Sequence, residues 1–117
     1  MTYVSGFVLA VPDENREAYR ASAEKAWPLF QEYGAISIME NWGDNVPQGK
    51  QTDLRRAVDL QDGETVVFSW VVWPDKSASD RCEASMESDE RWQEMDMPFD
   101  GKRMIFGGFE TIFSAEG

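Results

Sequence analysis

Apolar and polar residues follow two rhythms along this chain. Tyr3–Val11 (YVSGFVLAV) is a β-branched and aromatic run closed by Pro12, and it reads as a strand. From Asp13 the period changes. Ala18, Tyr19, Ala23, Ala26, Trp27, Phe30 and Tyr33 step by three and four, which predicts a helix over 13–33 with one apolar stripe. Asp13 is placed to cap that helix, Glu14 and Glu17 suit its first turn, and Gly34 suits the position just past its end. Pro28 should kink its last turns. Ala35–Gly43 (AISIMENWG) predicts a second strand, closed by the turn-rich GDNVPQGKQTD. Leu54–Leu60 fits either an extended strand or an irregular arm. Asp62-Gly63 signals a turn before Thr65–Trp73 (TVVFSWVVW), the strongest strand pattern in the chain. Beyond Pro74, a second helix is expected from Asp75, capped at Asp75 or Ser77, to about Trp92. MDMPFDG reads as a loop. Lys102–Phe113 reads as a last strand, in which Gly107-Gly108 suggests a bulge or bend.

The order β-α-β-β-α-β predicts an α+β, ferredoxin-like domain over residues 1–117: a four-stranded antiparallel sheet with two helices on one face. The strands carry a further implication. In the third, Val66, Phe68, Trp70 and Val72 point one way, while Val67, Ser69, Val71 and Trp73 point the other. The first strand is also apolar on both sides. Two helices cover one face only, and a sheet open to water on its other face would alternate cleanly with polar residues. An uncovered apolar face is larger than monomers tolerate. A twofold dimer with sheets facing one another resolves this, so the expected partner is a second copy of the chain.

Composition narrows the chemistry. The 117 residues include 22 acidic and 11 basic side chains, for a formal charge of −11. That charge opposes nucleic-acid binding, which rests on Lys and Arg neutralising phosphates. The absence of histidine removes Ser-His and Cys-His catalysis and His-ligated metals or haem. The single cysteine, Cys82, forms no internal disulfide, and with no basic n-region at the N-terminus the expected compartment is the cytoplasm. No 18-residue apolar run exists to cross a membrane. The acid is unevenly placed: 8 acidic against 6 basic side chains in residues 1–58, and 14 against 5 in residues 59–117. Much of the excess falls on the second helix, as expected of a solvated outer face, and no DxDxDG-type loop accompanies it.

The runs YVSGFVLAVP, WPLFQEYGA, ENWGDNVPQGKQTDLRRAV, ETVVFSWVVWP and MPFDGKRMIFGGFE together resemble the YbaA-like bacterial family, a domain family of unknown function in the dimeric α/β-barrel superfamily. The resemblance spans residues 3–113, and its most specific pieces are VPQGKQTD at 46–53 and MPFDGKRMIFGGFE at 97–110. It implies a ferredoxin-like protomer whose sheet packs against its partner's, and no established activity. The superfamily includes cofactor-free and haem-degrading monooxygenases and haem peroxidases, with a pocket between sheet and helices. Its haem branch leans on histidine, which this chain lacks, so no cofactor is expected.

A few residues could carry chemistry. Glu40 shares a strand face with Ile36, Ile38 and Trp42; a carboxylate there has its pKa raised by desolvation unless Arg55, Arg56, Lys102 or Arg103 meets it. It is a candidate general base or binding group, or else half of a salt bridge holding strands in register. Asn41 and Trp42, near the strand's end, could orient a substrate, or simply pack and cap a turn. Arg55 and Arg103 sit in the two places where basic residues pair and could hold a small anion, or merely neutralise neighbouring acids. The many aromatics and the methionines at 86, 95, 97 and 104 fit core and interface packing. The sequence thus points to a homodimer with a small cleft that binds or transforms a small molecule, by cofactor-independent oxygenation or isomerisation if it is an enzyme. The competing reading is a non-catalytic ligand-binding or interaction module.

Overall fold

A computed structural model describes residues 1–117. Strand β1 (Tyr3–Pro12) is followed by helix α1 (Arg16–Glu32) and strand β2 (Ser37–Trp42). A short helix α2 (Leu54–Ala57) precedes strand β3 (Glu64–Trp73), helix α3 (Lys76–Ser88) and strand β4 (Ile105–Glu110). The sheet order is β2-β3-β1-β4, antiparallel throughout. This is the ferredoxin-like arrangement that the order of elements predicts. No helix is long and apolar enough to cross a membrane.

The helix ends show which local signals the fold uses. Gly34 takes φ +106°, its N–H donates to the Gln31 carbonyl, and the Ala35 N–H donates to the Phe30 carbonyl. That is a Schellman end, and it needs the left-handed residue that glycine supplies without strain. The start differs from expectation. Asp13 caps nothing: it lies in a 3₁₀ turn over Asp13–Asn15, and its carboxylate accepts from the Thr65 hydroxyl at 2.5 Å on β3. Asn15 stands at the cap position, but its amide donates to the Pro98 carbonyl at 3.0 Å. Tertiary bonds have claimed both side chains. Asp75 caps α3 as expected, accepting from the Ala78 N–H at 2.8 Å.

Helix α3 stops at Ser88 rather than near Trp92. Asp89 is extended there, accepting the Tyr33 hydroxyl at 2.7 Å and ion-pairing with Arg91. The chain re-enters as a 3₁₀ turn over Glu90–Glu94 that swings the Trp92 ring to within 4.9 Å of Phe30. Strand β4 is also shorter than 102–113. Asp100 holds Lys102 and Arg103 in a 3₁₀ turn, and past Glu110 the pairing dwindles to Thr111, whose N–H donates to the Thr2 carbonyl at 3.2 Å. The Gly107-Gly108 pair makes no bulge, because its register with β1 is unbroken. These glycines leave room for rings instead. Tyr3 lies where a side chain on Gly108 would go, and Phe109 covers Gly6 and Gly107. The ambiguous Leu54–Leu60 is the short helix α2 and a turn, started by Asp53, whose carboxylate accepts the Arg56 N–H.

The core lies between the helices and one sheet face. Leu9, Val11, Val67, Val71 and Trp73 are buried there, with Ala78 and Cys82 of α3 packed against them. Burial pushes the Cys82 thiol up to about 11, so it remains a protonated packing group. On the reverse face, the segment after β2 covers one end of the sheet: Val46, Val58 and Leu60 close over Ala10 and Val66. The remainder is bare. Met39 is 51%, Phe68 46% and Phe109 60% exposed, beside Val4, Val8 and Trp70.

Replacing Leu9 by Ala removes a fully buried side chain from the sheet's centre, and we expect urea denaturation to report a loss of about 2–5 kcal/mol.

Candidate functional site

Strand β2 lies at the sheet edge beside β3, with Glu40 directly opposite Ser69. Because strand side chains alternate, that pairing puts both on the helix-facing side, below Tyr19 of α1. The Ser69 hydroxyl donates to one Glu40 oxygen at 2.7 Å, and the Tyr19 hydroxyl donates to the other at 2.5 Å. Burial, and secondly the charge of Glu40, raise the Tyr19 pKa far above its ordinary value, so the phenol keeps its proton and acts as donor. None of the four basic residues expected near Glu40 reaches it; the ion pairs of the chain leave this carboxylate out.

Glu40, Tyr19 and Ser69 form the polar corner of a cavity of about 410 Å³ between α1 and the sheet. Fourteen of its nineteen lining residues are hydrophobic, which makes it an apolar chamber with two carboxylates, Glu40 and Asp96, in its lining. Phe7, Leu9 and Val71 form the floor, Phe30 and Trp92 one side, and Met95, Met97 and Phe99 the cover. That cover is latched. Asn15, Ser22 and Lys25, from one end of α1 to its middle, donate to the carbonyls of Pro98, Asp96 and Glu94 at 3.0, 2.5 and 3.2 Å. The Trp92 indole N–H is committed elsewhere, donating to the Ser85 hydroxyl at 2.9 Å.

The other residues singled out from the sequence lie apart from this chamber. Asn41 points to the opposite sheet face, its amide donating to the Phe68 carbonyl at 2.9 Å. Trp42 packs on the Leu9, Val11 and Val67 cluster, with the Arg16 guanidinium 5.2 Å from its ring centroid. Arg55 lines a shallow polar pocket of about 240 Å³ with Asp53, Arg56 and Asp59. Arg103 grips Glu64 through two bonds of 2.7 Å and also donates to Asp100 and the Asp59 carbonyl. Two site residues, Tyr19 and Ser69, went unnoticed in the sequence. Tyr19 hides in an apolar helical stripe. Ser69 left a usable trace as the one serine inside TVVFSWVVW, flanked by apolar residues and opposite Glu40.

A family model described as "Protein of unknown function (DUF1428)" matches residues 2–101. The chain belongs to this family. "Uncharacterized protein YbaA" of Escherichia coli (strain K12) is 54% identical to it over 114 residues, covering 96% of this chain and 97% of that protein. YbaA of Shigella flexneri matches with the same figures. Among solved structures, a dimeric ferredoxin-like protein from an uncultured marine organism superposes with a TM-score of 0.61 at 9% identity, over the whole of both chains. A second protein so described, also from an uncultured marine organism, gives 0.56 at 13% identity over 99% of this chain and 98% of its own. At such identities the likeness establishes the fold of the DUF1428 chain and nothing finer.

The Arg103 clamp sets an acid limit on this DUF1428 protein. The Arg103 guanidinium holds Glu64 below its ordinary 4.5 and Asp100 below its ordinary 3.8. A lowered folded pKa gives stability that is whole above the ordinary value and is lost as pH falls through the folded one. Thermal melting should place Arg103→Met below wild type at about pH 7, with the gap narrowing as pH falls below the ordinary 4.5 and 3.8 and the two carboxylates take up protons.

Proposed function

We propose that the protein is a homodimer in which each protomer binds one small, largely apolar molecule in the chamber between α1 and the sheet, with Glu40 as the polar anchor. The chamber's size and lining carry the reading: about 410 Å³ with a mostly hydrophobic wall falls in the range of small-molecule sites, which are apolar with a few placed polar groups. Binding is favoured over proton-transfer catalysis because the Tyr19 and Ser69 hydroxyls are both spent on Glu40. Neither is left to hold a developing negative charge on a substrate. The dimer rests on the bare reverse face, and it agrees with the two structural neighbours, each described as dimeric. Sheet-to-sheet packing would cover Phe68, Trp70 and Phe109 and leave the chamber, on the opposite side of the sheet, open to ligand.

Two measurements test these halves. Light scattering should show a dimer at micromolar concentration for wild type and a monomer for Phe68→Asp; a monomeric wild type would contradict the assembly. For the chamber, a neutral probe such as octanol at about a hundred times its Kd should stabilise wild type by about 2.7 kcal/mol. Ala23→Phe, which drives a ring into the chamber from α1, should abolish that gain, and a gain retained in full would place the ligand elsewhere.

A further inference from the structure

Charge within the chamber is one-sided. Glu40 and Asp96 line it, while no lysine, arginine or histidine does. A carboxylate facing an apolar space is costly unless something repays its lost hydration. Two hydroxyl donors give part of that repayment. A carboxylate has about four acceptor positions, however, so roughly two stay open for a further donor. The surrounding walls also suit a cation. Tyr19, Phe30, Trp92 and Phe99 line the chamber, and the faces of aromatic rings attract positive charge. Methionines 86, 95, 97 and 104 add polarisable, deformable surface for an apolar body.

Building on the chamber as a binding site, we infer that its ligand class is the amphiphilic amine: an ammonium group that pairs with Glu40 and a hydrocarbon or aryl body that fills the apolar volume. An alcohol of the same shape reaches Glu40 with a neutral hydrogen bond only. A carboxylate meets like charge in a space where water screens little. The selection is therefore for cation over neutral over anion at constant body.

Calorimetric titration with octylammonium chloride, octanol and octanoate reads this selection directly, because the three share one tail. In wild type, octylammonium should bind about tenfold tighter than octanol, the margin between a charge-assisted and a neutral hydrogen bond, and octanoate should bind weakest. In Glu40→Gln the ammonium advantage should vanish while octanol binding is retained, which also shows that the variant is folded. The Trp92 indole resonance, followed by NMR, should move on binding and separate the chamber from cation attraction at the acidic surface. Octanol matching octylammonium in wild type overturns the inference and leaves the chamber as a site for neutral molecules; an ammonium preference that survives Glu40→Gln overturns it by placing the cation at another carboxylate, such as Asp96. If none of the three binds, the chamber reading falls and the inference with it.

Discussion

Ten consecutive residues of β1 lie opposite ten of β3, from Tyr3 against Trp73 to Pro12 against Glu64. This ladder sets the rest of the molecule. It fixes which side of each central strand faces the helices, and it holds Leu9 and Val11 beside Val67 in one buried cluster. It also decides the face of Ser69, and so the face on which Glu40 of β2 finds a hydroxyl donor. A slip of one residue would turn every one of these side chains over. Both faces of β3 are apolar, so alternation alone would not prevent that slip. The register found is one in which the Trp73 indole donates to the Ser5 hydroxyl at 3.0 Å across the ladder and the Thr65 hydroxyl donates to Asp13 at the other end, bonds that a slip would break.

The architecture was legible because the strands and α1 are long and strongly patterned, and period is a local property. Ends were less legible, for a common reason. Asp13, Asn15 and Asp89 each have good cap chemistry, yet what each does is decided by a distant partner: Thr65, Pro98 and Tyr33. Gly107 and Gly108 show the same limit from the other side. Adjacent glycines in a strand signal irregular backbone, and here they serve the flat rings of Tyr3 and Phe109 over a regular ladder.

The site divides along similar lines. Glu40 was visible because a charge on an apolar strand face is anomalous by itself. Its setting was not visible: the sequence left open a free base in a cleft or a salt bridge to a nearby cation, and the structure supplies a phenol and a serine. Asn41 stood out as the next residue along the strand, but adjacency along a strand means opposite faces, and its amide serves the backbone of β3. Arg103 is a strong anion binder by type, and Glu64, Asp100 and the Asp59 carbonyl have already taken up four of its five donors. Which donors remain free is a tertiary fact.

The latch over the chamber has a consequence for how such a protein can change. Asn15, Ser22 and Lys25 hold the cover by its carbonyl oxygens at 94, 96 and 98. Every residue type presents the same oxygen. The side chains of the cover are therefore released from the work of fastening it. Met95 and Met97 can be exchanged for larger or smaller residues, reshaping the chamber's ceiling while the fastening persists. The chamber's shape can drift among related chains at these positions without a matching change in α1, so the three donors, rather than the cover itself, are where constancy is to be sought.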